Sequence, residues 1–114
     1  MEEAAPRQTG SFRHLRLEGS RLTVLRELPY HDRELEVACR LLLDDPGPEL
    51  VIDLVRLEYL ASVQIGALVA ASTRAAEAGR RLRVLVRPSL VKFLGRLKLE
   101  GLLGYEVVEP SREG

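Results

Sequence analysis

Tryptophan is absent, and two phenylalanines and three tyrosines are the only aromatic side chains in 114 residues. A core must therefore be assembled from leucine, valine and alanine. Cys39 is the only cysteine, which excludes an intrachain disulfide and favours a reducing compartment. It falls in a predicted helix, where a small buried thiol is the ordinary reading and a reactive nucleophile the exceptional one. The two histidines offer no metal set: His14 lies in a predicted strand and His31 in a predicted turn, neither with a ligand at usable spacing. The longest stretch without a charge, residues 59–73, runs to about 15 residues and is interrupted by Ser62, Gln64 and Ser72. A membrane-spanning helix needs about 20. The first eleven residues are polar and acidic, without the basic start and apolar stretch of a signal peptide. A soluble cytoplasmic protein with no membrane insertion is the expectation.

Catalytic signatures are missing as well. The sequence contains no glycine-rich phosphate loop, zinc-ligand set, nucleophile elbow or dinucleotide fingerprint. It reads as a non-enzyme without a cofactor or a metal. Charge is plentiful and balanced overall, but unevenly placed. Residues 74–98 carry eight basic side chains against Glu77 alone, whereas residues 1–60 carry twelve carboxylates against eight bases. Such asymmetry can steer partners or favour head-to-tail contacts. Nucleic-acid binding is not expected, because Phe93 is the sole aromatic in the basic stretch and base stacking has nothing else to use.

The periodicity of what remains predicts one domain over residues 12–109, between a leader (1–11) and a tail (110–114). Apolar and polar residues alternate over 12–17 and 21–27 around Gly19-Ser20, the pattern of an antiparallel hairpin. Asp32 is placed to cap a first helix ending near Leu43, with Leu35, Ala38, Leu41 and Leu42 on one face, and Asp44-Asp45-Pro46-Gly47-Pro48 stops it. The run at 50–55 is almost wholly apolar, as in a parallel strand covered on both faces. A second helix is predicted from an N-cap at Ser62 to about Ala78, with Ile65, Leu68, Val69, Ala75 and Ala76 inward and Gly79 closing it. Leu82, Val84 and Val86 mark the next strand. Ser89 is placed to cap a third helix burying Leu90, Val91, Leu94 and Leu97, with Gly95 inside it, and 105–108 makes a last edge strand. A hairpin followed by alternating helices and strands implies an α/β fold with a mixed sheet of about five strands.

The stretch LVIDLVRLEYLASVQIGAL at 50–68 resembles the core of the STAS domain family, whose members include bacterial anti-sigma-factor antagonists and the cytoplasmic tails of sulfate transporters. In that family a VVLDL-type strand leads into an Asp-Ser-Ser/Thr-Gly-Leu-Gly segment that a partner kinase phosphorylates. Asp53 stands in the family's acidic strand position. The loop departs from the pattern: Ala61 replaces the Asp, Ser62 keeps the first hydroxyl, Val63 replaces the second and Gln64 replaces the Gly, before Ile65 and Gly66 rejoin it. The likeness continues through LRVLVRPSLVKFLGRLKLEGLLGYEVV and covers about residues 13–108. It is weaker before the first helix, where the family's Gly-Glu-Leu-Asp type turn is replaced by Leu28-Pro29-Tyr30-His31-Asp32.

The resemblance implies a STAS-like fold and a protein partner, an anti-sigma factor or a serine-kinase-like ATPase, docked on Ala61, Ser62, Val63, Gln64 and Gly66. It implies a non-catalytic interaction domain, an anti-sigma-factor-antagonist-like regulator or scaffold in partner switching and transcription regulation. Valine has no oxygen to receive a phosphate, so the usual acceptor is absent and the chain is expected not to be phosphorylated. Two alternatives accompany this reading. Ser62 could serve as the acceptor of a displaced switch, or the chain could be an accessory subunit of a transport ATPase.

Overall fold

The computed structural model describes residues 12–29, 31–96, 98 and 104–109. The predicted leader, the tail and the side chain of Leu97 lie outside them. Five strands and three helices follow the expected order: β1 (Leu15–Glu18), β2 (Arg21–Val24), α1 (Glu34–Leu43), β3 (Glu49–Asp53), α2 (Ser62–Glu77), β4 (Arg81–Val86), α3 (Pro88–Arg96) and β5 (Glu106–Val107). The strands lie side by side in sequence order. β1 and β2 pair antiparallel about Gly19, whose φ of 58° suits a tight hairpin turn, and every later pairing is parallel. The fold is thus α/β with a five-stranded mixed sheet, as the alternation of periods implies. Among the described residues no helix is long and apolar enough to cross a membrane.

One face of the sheet is covered and the other is not. Leu15, Leu17, Leu22, Val24, Leu50, Ile52, Val84 and Val86 alternate along the strands and join Leu35, Leu42, Leu68, Leu90 and Leu94 of the three helices in a single core. Each fully buried leucine contributes about 1.5–3 kcal/mol. The opposite face carries three ion pairs, Arg21–Asp53 at 2.7 Å, Arg81–Glu49 at 3.5 Å and Arg83–Glu106 at 2.9 Å. This corrects the expectation for β3. Its apolar run suggested burial on both faces, but Val51 and Asp53 are only half-buried, Val51 lying between Arg21 and Arg83 of the adjacent strands. The two oxygens of Glu106 each accept from Arg83, which holds the Glu106 carboxyl below its ordinary range and raises the guanidinium above its own. That contribution is present above the ordinary glutamate pKa and disappears as pH falls through the folded-state value.

Helix ends show where sequence placement was off by one or two residues. The N-cap of α2 is Ala61, not Ser62, and α3 begins at Pro88, so Ser89 lies inside the helix and Arg87 receives the first N–H groups, from Leu90 and Val91. Proline suits that first position because its missing donor is not needed there. Asp32 does act at α1, its Oδ1 accepting from the Glu34 N–H at 2.6 Å from one residue beyond the formal cap, Arg33. Leu41, Val69 and Val91 are half-buried and Ala76 is exposed; Cys39, Ala67 and Ala71 take inward places instead. Gly79, at φ 71°, ends α2 as expected: its N–H donates to the Ala76 carbonyl and that of Arg80 to Ala75, the two bonds of a Schellman ending. Gly95 has open space where a Cβ would stand. Gly95→Ala is therefore expected to stabilise the protein by about 0.5–1 kcal/mol, read as a higher urea midpoint at unchanged slope.

Folding also offsets part of the charge asymmetry. Arg81 and Arg87, from the basic half, pair with Glu49 and Glu58 of the acidic half. Arg80 reaches back to the end of α1, donating from Nε to the Gly47 carbonyl at 3.0 Å, from Nη1 to Leu43 at 2.8 Å and from Nη2 to Asp45. Arg74, Lys92, Arg96 and Lys98 stay exposed.

Candidate functional site

The segment between β3 and α2 is irregular in backbone but firmly seated. Leu54, Leu57 and Leu60, spaced every third residue, are at most 2% exposed, and the Leu57 N–H donates to the Leu54 carbonyl at 2.9 Å. Asp53 closes the strand: Oδ1 accepts from the Val55 N–H at 3.0 Å while Oδ2 holds Arg21. Its role here is architectural. With three leucines plugged into the core, the intervening side chains are displayed outward. Tyr59 is 45% exposed, its ring centroid 6.4 Å from that of half-buried Phe93 on α3.

The first turn of α2 follows. Ala61 is extended, with φ −82° and ψ 163°, and its carbonyl accepts from the N–H groups of Gln64 and Ile65. Alanine has no side-chain acceptor, so only half of a capping box forms: Gln64 Oε1 accepts from the Ala61 N–H at 2.8 Å. The other end of that amide donates from Nε2 to the Pro29 carbonyl at 2.8 Å, tying α2 to the segment that leads into α1. Gln64 is 1% exposed, the only buried polar side chain among the described residues. Of the five candidate docking residues, the structure therefore presents Ser62 and Gly66 on the surface, leaves Ala61 and Val63 half-buried, and takes Gln64 inside.

Two side chains change role in consequence. Ser62 caps nothing, and its hydroxyl makes no hydrogen bond among the described residues. Tyr59 joins the surface, a residue that sequence reasoning passed over although its type is scarce in this chain. Val63 and Gly66 also open onto a groove of about 300 Å³ between α1 and α2, floored by Cys39 and Ala67 and flanked by Arg40 and Arg74. Cys39 is no nucleophile there: burial, and then the charge of Glu36, push its thiol up to about 12. A shallow pocket at the carboxyl ends of the strands contains Arg21, Asp53 and Arg87, whose charges are already paired.

The surface so assembled is partly apolar and small: a phenol, a hydroxyl, the edge of a valine and a bare glycine backbone. Nothing in it activates a nucleophile or shuttles a proton. Gly66, exposed and without a side chain, leaves the backbone of α2 open to close approach. Comparison with known proteins adds no constraint, since neither a family model, nor a curated protein, nor a solved structure matches the chain.

Proposed function

We propose that this chain is a non-catalytic STAS-type interaction domain, an anti-sigma-factor-antagonist-like regulator or scaffold in cytoplasmic partner switching. The observation that carries the reading is the start of α2, with Ser62 and Gly66 on the surface, mounted on a leucine-anchored loop at the carboxyl end of a parallel strand. That is where the resemblance puts the family's docking surface. The five-stranded mixed sheet supports it with the right order of elements. The partner is a protein, an anti-sigma factor or a serine-kinase-like ATPase, and its contact is made by Tyr59, Ser62, Val63 and Gly66 without phosphorylation. Incubation with ATP and the cognate kinase should leave no phosphate on the chain by intact mass; stoichiometric phosphoserine at Ser62 would refute this.

One observation favours a second reading. Ser62 is exposed and its oxygen is not spent on a cap, so a kinase could reach it. A phosphate there would bring a charge of about −1.5 to −2 to the middle of the docking turn. In this displaced switch Ser62→Asp abolishes partner binding while Ser62→Ala preserves it, as titration calorimetry would show. Equal affinities for the two variants exclude it.

A further inference from the structure

Outside the docking turn, the fold brings together three side chains that sequence spacing keeps apart. His14 stands just before β1, Asp32 just before α1 and Glu34 at its first residue, and one ligand atom from each lies within 4.8 Å of the other two. His14 Nδ1 is 3.4 Å from Glu34 Oε2 and 3.7 Å from Asp32 Oδ2. Donors that share a cation at about 2.0–2.2 Å sit roughly 3–4 Å from one another.

A second observation concerns the imidazole alone. Nδ1 is enclosed away from solvent and has no hydrogen-bond partner among the described residues, although the side chain as a whole is 17% exposed. A ring nitrogen enclosed within 4 Å of two carboxylate oxygens calls for a proton or a cation between them. The carboxylates are themselves held in place. Glu34 Oε1 accepts from the His14 N–H at 3.0 Å and Oε2 from the Arg13 N–H at 3.1 Å, while Asp32 Oδ1 accepts from the Glu34 N–H. Among the described residues nothing donates to Asp32 Oδ2, and Glu34 Oε2 accepts only from the Arg13 N–H. Of the neighbouring cations, Arg33 turns away to Glu36 at 2.8 Å and Arg26 donates to the Arg13 carbonyl.

We infer that His14 Nδ1, Asp32 and Glu34 form a three-ligand site for a zinc-class divalent cation, with water completing the coordination. One imidazole and two carboxylates suit zinc, cobalt or nickel, whereas calcium and magnesium prefer all-oxygen shells. The ion would pin the start of β1 to the start of α1. A proton on Nδ1 is the competing occupant, since an N–H there would face both carboxylates. The two are separable because a proton leaves no stoichiometric metal.

The test uses the full chain without a histidine tag, dialysed against zinc chloride and assayed by elemental analysis and calorimetry, with magnesium chloride in parallel. One equivalent of zinc and no magnesium should bind. Asp32→Asn retains the oxygen that accepts from the Glu34 N–H, so it should fold, yet bind zinc about tenfold or more weakly; His14→Gln should do the same. Zinc should raise the melting temperature of the parent and not of Asp32→Asn. Absence of bound zinc, or binding that survives both substitutions and so reports adventitious surface ligation, would overturn the assignment. Neither result bears on the docking turn of α2.

Discussion

Arg80→Ala is expected to destabilise the protein by about 2–4 kcal/mol, the largest loss anticipated from any single polar substitution. The guanidinium donates to the carbonyls of Leu43, Asp45 and Gly47, which follow one another where α1 ends and the chain turns into β3. Carbonyls at a helix C-terminus have no partner of their own, and a proline-rich turn supplies none. Truncating Arg80 leaves three half-buried acceptors short of a donor at once. Lysine should restore less than half of the loss, because one ammonium cannot span three carbonyls arranged around a planar fork. Arg81 is the control. Its side chain is 71% exposed and meets Glu49 at 3.5 Å, so Arg81→Ala should change stability by no more than about 0.5 kcal/mol. Urea denaturation of the three variants measures all of this.

Gly66→Arg is expected to abolish partner binding while leaving the fold intact or slightly firmer. Gly66 lies on the surface of α2, and a Cβ built there meets nothing within 4 Å. Arginine has a better helix propensity than glycine by about 0.5–1 kcal/mol, so the isolated domain should gain stability. At a docked surface the same side chain has to be buried or displaced. A loss of about 2 kcal/mol or more, roughly thirtyfold in affinity, follows if Gly66 is central to the contact. Opposite signs in the two assays distinguish a lost interface from a damaged fold.

The alternation of a period near two with a period near 3.6 made the order of elements legible, and Leu35, Leu42, Leu68, Leu90 and Leu94 marked the inward faces of the helices, whereas Leu41, Val69 and Val91 are half-buried and Ala76 is exposed. What sequence did not yield follows from two physical facts. Apolar content in a strand does not reveal how many faces are covered: Val51 and Leu85 lie on the open face among charged neighbours, and only the placement of the helices decides that. Helix starts, in turn, shift easily by one residue, and one residue on a helix is a rotation of about 100°. Taking Ser62 as the N-cap made Gln64 a surface residue. With Ala61 as the cap, Gln64 becomes the third helical residue, its amide turns back to the Ala61 N–H, and the exposed hydroxyl is left unused. An Ala-x-x-Gln spacing carried that signal weakly, because alanine is a poor cap. The meeting of His14 with Asp32 and Glu34 had no local signature at all; it arises because the hairpin returns the start of β1 to the start of α1.

The central claim, that the first turn of α2 is a docking surface, is tested most directly by a photo-crosslinking residue placed at Ser62 in the cells that produce the protein. The comparison is the same residue placed at Thr73, exposed further along that helix. A single discrete adduct from position 62 that is absent from position 73, and lost when Gly66→Arg is added, is the predicted result. Equal adducts from both positions, or none from position 62 while another face of the molecule yields one, would contradict it.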